Sequence, residues 1–192
     1  MRGIGMGKQS KAIQDLSKVS IESERLVLKP ISRNYGRDIF AGFDEQVTRF
    51  LVHEPNESLE QVDDFLAKSI QSAKDGTDLD LAITTKDGEF LGIGSLHHVD
   101  SREPEIGLWL KTAAQGRGFG SELAFAIAEW AVDNLDLDHL QYRADAKNVR
   151  SWKIAEKLVQ KYGGRFAGEE IEILGGKERT TRFYQITPTK TS

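Results

Sequence analysis

The sequence predicts an α/β (α+β) fold: one domain on a mixed, mostly antiparallel sheet of six to seven strands flanked by helices. Three observations carry that reading. Segments with period-2 apolar spacing alternate along the chain with segments of i, i+3, i+4 helical spacing. Two strand pairs are joined by short turn sequences, Lys86-Asp87-Gly88 and Gly175-Gly176-Lys177, as antiparallel hairpins require. A glycine-rich loop, residues 115–120 (QGRGFG), stands between a strand and a long helix.

In chain order, residues 1–20 are polar and weakly patterned, a loose extension before a domain over 21–192. Leu26 and Leu28 alternate in the first strand, and Pro30 ends it. Residues 35–51 and 58–74 read as helices. In the second, Ser58 is the N-cap of a stripe formed by Leu59, Val62, Phe65, Leu66 and Ile70. Strands follow at 79–84, 90–97 and 105–111, the last with Gly107 inside it as a site of bulging or close backbone approach. A helix over 121–134 buries Leu123, Ile127 and Ala131 on one face, with Phe125 and Trp130 widening the stripe. Residues 137–144 form the next strand, and a second long helix runs from Asn148 to Tyr162, where Gly163-Gly164 stops it. Strands over 165–174 and 180–187 close the chain as a hairpin.

Composition excludes several classes. With 39% hydrophobic and 29% charged residues, a core forms without staples. The absence of Cys removes disulfides, zinc–thiolate sites and a cysteine nucleophile, and no metal is expected. A net charge of −4 gives no general footprint for nucleic acid, and no apolar run suits a membrane span. The opening MRGIGMGKQSKAIQDL lacks the apolar stretch of a secretory signal, so the expected location is cytoplasmic.

The loop carries the chemistry. Unpaired N–H groups at a helix start, with the helix dipole, favour an anion. Glycines let the backbone approach phosphate oxygens, and Arg117 adds a charge-assisted contact. No Gly-Lys-Ser/Thr follows the last glycine, which excludes a Walker loop. The mid-chain position after an antiparallel run does not suit a dinucleotide fold either.

Gln115-x-x-Gly118-x-Gly120 resembles the pyrophosphate loop of the GNAT acetyltransferase superfamily. Glu24-Arg25-Leu26-Val27-Leu28, Glu105-Ile106-Gly107-Leu108-Trp109-Leu110, Asn148-x-x-Ser151 and Glu156-Lys157-Leu158 are similar to landmarks of the branch containing the ribosomal-protein N-terminal (Rim type) and spermidine acetyltransferases. The resemblance implies acetyl-CoA (coenzyme A) as co-substrate and direct attack by an amine within a ternary complex. It implies cofactor contacts from the backbone at Leu108, Trp109 and Leu110. It implies others from Gln115, Gly116, Arg117, Gly118, Phe119, Gly120 and Ser121, and from Asn148, Ser151 and Lys157. Homodimers are common in this branch, which leaves a homodimer as an expectation.

Acetyl transfer from a thioester needs a base for the amine and an acid for the thiolate. Family members commonly carry Tyr four residues after Ser151, where this chain has Ala155; the resemblance to this branch, in which a Ser at this position is the usual candidate, implies Ser151 as the acid. Glu105 is the candidate base. His97 and His98 are candidate substrate contacts, and because adjacent strand residues face opposite sides, at most one of them looks into the site. Between Leu158 and Gly163 the chain has about one more helical turn than the family pattern. Residues 44–64 hold seven acidic side chains against Arg49, which favours a cationic acceptor: a peptide N-terminal amine or a small cationic amine. The alternative is a catalytically silent acyl-CoA-binding regulatory module.

Overall fold

The computed structural model describes residues 15–174 and 176–188. The chain runs β1 (Ile21–Glu22), β2 (Leu26–Pro30), α1 (Gly36–Gly42), α2 (Glu45–Thr48), α3 (Leu59–Asp75), β3 (Leu79–Thr85), β4 (Phe90–His97) and β5 (Glu105–Leu110). It continues with α4 (Phe119–Asn134), β6 (Leu140–Asp145), α5 (Val149–Tyr162), β7 (Gly164–Leu174) and β8 (Lys177–Ile186). The strands form one eight-stranded sheet in the order β1-β2-β3-β4-β5-β6-β8-β7. Every neighbouring pair is antiparallel except β5–β6.

Alternation in the strands sorts residues onto two faces. Leu81, Ile83, Ile106 and Leu110 join Leu123, Ile127 and Leu158 in the larger core, beneath α4 and α5. Ala82, Phe90 and Ile93 join Ile39, Val62 and Leu66 in the smaller one, beneath α1 and α3. Ser58 caps α3 by accepting from the Gln61 N–H, and Gly76 ends that helix in the left-handed region.

Several expectations are corrected. The sheet has eight strands because residues 21–22 pair with β2, beyond the six or seven expected. The helix expected over 35–51 breaks at Phe43, and the Asp44 carboxylate starts α2 by accepting from the Gln46 and Val47 N–H groups. Helix α4 begins at Phe119 rather than 121. Strand β6 begins at Leu140 because Arg102 holds Asp136 and Asp138, at 2.6 Å each, in the preceding loop. The last hairpin is longer than expected, its ladder reaching Leu174 opposite Lys177. Of the loose extension over 1–20, residues 1–14 lie outside the described residues. From residue 15 the chain is docked: Leu16 is fully buried and its N–H donates to the Ala73 carbonyl at 2.8 Å.

Candidate active site

The one parallel pair in the sheet is brief. β5 and β6 share only Glu105–Gln141 and Ile106–Tyr142, while β5 stays with β4 as far as Leu110 and β6 stays with β8 as far as Asp145. The two strands therefore diverge, and from Gly107 to Leu110 one edge of β5 has no strand partner. Backbone amides there are open to a ligand that can pair with them. A cleft of about 1060 Å³ opens at this divergence, between β5 and β6, the segment 50–57, α3 and the far hairpin.

At the end of β5 the glycine loop leads into α4. Gly118 is the N-cap, in the left-handed region at φ 84°, and no side chain caps the helix. First-turn N–H groups remain for an anion. Arg25 bolts the loop to the start of β2: its guanidinium donates to Glu122 at 2.7 Å and to the Arg117 carbonyl at 3.1 Å, and lies 4.5 Å over the Phe119 ring. The Arg117 guanidinium also lies over that ring, at 4.9 Å. Burial alone would push the Glu122 carboxyl up. Hydrogen bonds from the Ser23 hydroxyl and from the Arg25 amide and guanidinium outweigh it and hold Glu122 below the usual carboxylate range. Gln115 braces the loop, its amide donating to the Leu110 carbonyl at 2.9 Å. Lys157 on α5 reaches the Ser121 hydroxyl at 3.3 Å. This donor set, two guanidinium groups beside an uncapped helix start, fits a pyrophosphate.

On the opposite wall Asn148 caps α5 by accepting from the Ser151 N–H at 3.3 Å. The Ser151 hydroxyl lies 3.0 Å from the Tyr142 phenol. Burial pushes Tyr142 up to about 12, against the Ser151 hydrogen bond, so the phenol keeps its proton across the neutral range. Position 155, where the family pattern carries Tyr, holds a fully buried Ala. Tyr162, at the end of the extra helical turn, packs on Phe125 with ring centroids 6.3 Å apart. A phenol thus meets Ser151 from β6.

The other candidates separate. Glu105 accepts from Arg143 at 2.8 Å. His97 lines the cleft with Nδ1 3.2 Å from Asp78, whereas His98 is exposed at φ 55° and is not among the lining residues. Leu108 packs against the larger core and Leu110 is buried in it. Trp109 turns to the α1 side, edge-on to Phe43 at 5.1 Å and to Phe90 at 6.1 Å. Of the seven acidic residues in 44–64, Glu54, Glu57 and Asp64 line the cleft, while Asp44 caps α2. Asp80, absent from the sequence reading, also lines it, buried with the Ser69 and Ser95 hydroxyls donating to its carboxylate at 2.6 and 2.5 Å. Arg25, Asp78 and Tyr142 were missed as well. Only Arg25 carried a signal, as part of the Glu24–Leu28 motif.

A strand edge freed by divergence runs into an uncapped glycine-rich helix start, a geometry suited to an anion beside a group that pairs with backbone amides. The chain matches the model of the acetyltransferase (GNAT) domain over residues 25–158, and it belongs to that family: it is an acetyl-CoA-dependent N-acetyltransferase. No curated protein matches it. Among solved structures, it resembles a GCN5-related N-acetyltransferase from Brucella melitensis at 22% identity, with TM-score 0.74 over 88% of this chain and 79% of that one. It resembles a spermidine N-acetyltransferase from Vibrio cholerae in complex with CoA and spermine at 17% identity, with TM-score 0.74 over 88% and 98%. An acetyl transferase from Salmonella typhimurium that modifies the N-terminal serine of the 50S subunit protein L7/L12 is 17% identical, with TM-score 0.75 over 89% and 100%. These likenesses carry the fold. No helix among the described residues is long and apolar enough to cross a membrane.

Proposed function

We propose that the protein transfers the acetyl group of acetyl-CoA to a cationic primary amine, a peptide N-terminus or a small polyamine-like molecule, by direct attack within a ternary complex. The observation that carries this is the open β5 edge, which links the uncapped start of α4 to a cleft lined by Glu54, Glu57, Asp64, Asp80 and Glu172. The co-substrate supplies an activated acyl carbon and a thiol leaving group. The residues of the chain do the rest. First-turn N–H groups of α4 with Arg25 and Arg117 would hold the pyrophosphate. β5 amides from Leu108 to Leu110 would pair with the pantetheine arm and polarise the thioester carbonyl. The acidic cleft would concentrate the ammonium form of the acceptor. Ser151, backed by Tyr142, would donate the proton that the departing sulfur takes up. Absence of Cys from the chain agrees with a route that forms no cysteine acyl-enzyme.

Thiol release from acetyl-CoA over a panel of N-terminal peptides, polyamines and aminoglycosides tests the reading. A cationic amine is expected to accelerate release, with initial-rate patterns that intersect. If no amine does so while acetyl-CoA still raises the melting temperature, the silent binding module is the better account.

Ser151→Ala is expected to lower kcat by about 10²-fold, the low end of what a positioned proton donor contributes. Its dissociation constant for CoA, from calorimetry, should stay within about twofold of wild type, a change of less than about 0.5 kcal/mol. Tyr142→Phe should act in the same direction, and the double variant should be no worse than Ser151→Ala alone, because the two hydroxyls act as one unit. An unchanged rate for Ser151→Ala removes it as the acid.

A further inference from the structure

Glu105 is poorly placed to serve as a free base. Arg143 occupies its Oε2, and the Glu105 side chain is only 15% exposed. Directly across the β4–β5 ladder from it stands His97. The His97 ring is 40% exposed and its Nδ1 lies 3.2 Å from Asp78 Oδ1, which also accepts from the His98 N–H at 3.2 Å. That second bond ties the carboxylate to the backbone beside the ring. A carboxylate at Nδ1 selects the tautomer with the proton on Nδ1 and leaves the lone pair on Nε2.

Nε2 sits over Gly107: a Cβ on Gly107 would come within 3.3 Å of it. Gly107 is the first β5 residue beyond the last β5–β6 pair, where the open edge begins. Any side chain there would crowd the nitrogen. No hydrogen bond to Nε2 occurs among the described residues. The ring therefore presents a basic nitrogen at the place where the acceptor side of the cleft meets the free edge of β5.

We infer that His97, oriented by Asp78, is the base that deprotonates the acceptor, while Glu105 holds Arg143 in the wall. The inference rests on the acetyltransferase reading above. His97 Nε2 takes one proton from R–NH3⁺, and Asp78 faces the charge that develops on the ring. The freed lone pair forms the N–C bond to the thioester carbon. The C–S bond breaks with its electron pair leaving on sulfur, which takes a proton from the Ser151–Tyr142 pair, and the second proton lost by nitrogen passes through water to restore that pair. The proton on His97 then passes to water. For one R–NH3⁺ and one thioester, the products are one amide, one thiol and one proton.

Two acceptors of matched shape separate this role from a structural one: the amine found by the panel and its aminooxy analogue, which is already neutral at assay pH. His97→Gln is expected to lower kcat/KM for the amine by about 10²-fold. For the aminooxy analogue the loss should be under about threefold, because no proton has to be removed before attack. Asp78→Asn should show the same asymmetry at about tenfold, since the ring remains and only its tautomer is released. Glu105→Gln should slow both acceptors by the same factor. Acetyl-CoA affinity, measured by calorimetry, verifies that each variant keeps its fold. Equal losses for both acceptors with His97→Gln, or no loss, overturn the inference and leave the acetyltransferase reading standing. A wild-type protein that binds acetyl-CoA and acetylates neither acceptor removes both.

Discussion

Gly118→Glu is expected to abolish measurable CoA binding in a domain that remains folded. Gly118 lies in the left-handed region at φ 84° at the mouth of α4, and a Cβ there would approach only the Arg25 guanidinium, at 3.4 Å. Adopting that φ costs an ordinary side chain about 1–2 kcal/mol, a loss the domain survives. The carboxylate has the larger effect. It would stand where the helix start and two guanidinium groups are proposed to hold the pyrophosphate, and it would draw Arg25 from Glu122. One like charge about 4 Å from a phosphate at an effective dielectric near 20 is worth about 4 kcal/mol. That is about 10³-fold in the dissociation constant. Gly118→Ala isolates the backbone part and should lower the melting temperature by a few degrees with only a small loss of affinity. Calorimetric titration with CoA measures both. Wild-type affinity in Gly118→Glu would place the pyrophosphate away from the loop.

What could be read in the sequence was what adjacent residues decide. The glycine loop between strand and helix, the Lys86-Asp87-Gly88 turn and the Ser58 cap each depend on a few neighbouring residues, and each appears where expected. Long-range pairings were hidden. Arg25 and Glu122 are 97 residues apart, and the Glu24–Leu28 motif gave no hint that its arginine braces the glycine loop. Tyr142 and Ser151 are near in sequence, yet their contact requires β6 and α5 to pack with one particular facing. The helical position at which the family carries a phenol holds Ala155, and the phenol beside Ser151 comes instead from the adjacent strand. Charge counting over 44–64 could not tell carboxylates on the cleft from Asp44, which caps a helix, or Asp63, paired with Arg33 at 3.7 Å. It also missed Asp80, whose burial makes sense only once Ser69 and Ser95 are seen to donate to it.

Gly92→Ala is expected to cost the domain substantial stability, and to weaken CoA binding without touching the loop. Strand β4 bulges just before Gly92, its pairing with β3 stepping from Thr84–Phe90 to Ile83–Gly92. Across the sheet Gly92 faces Leu110, and a Cβ would come 2.1 Å from the Trp109 carbonyl oxygen and 2.8 Å from the Leu110 Cα. Both are backbone atoms, so no rotamer change relieves the clash; β4 and β5 must separate. Overpacking of this kind costs about 3 kcal/mol or more. For a domain of this size that lowers the melting temperature by about 6–12 °C. The displaced backbone is the Trp109–Leu110 stretch whose other edge is proposed to pair with the pantetheine arm, so affinity should fall by at least about tenfold, or 1.4 kcal/mol. Thermal melts with and without CoA measure both effects. A drop in melting temperature with full retention of affinity would mean that the β5 edge does not hold the arm, whereas a joint loss ties the stability of the β4–β5 contact to the geometry of the site.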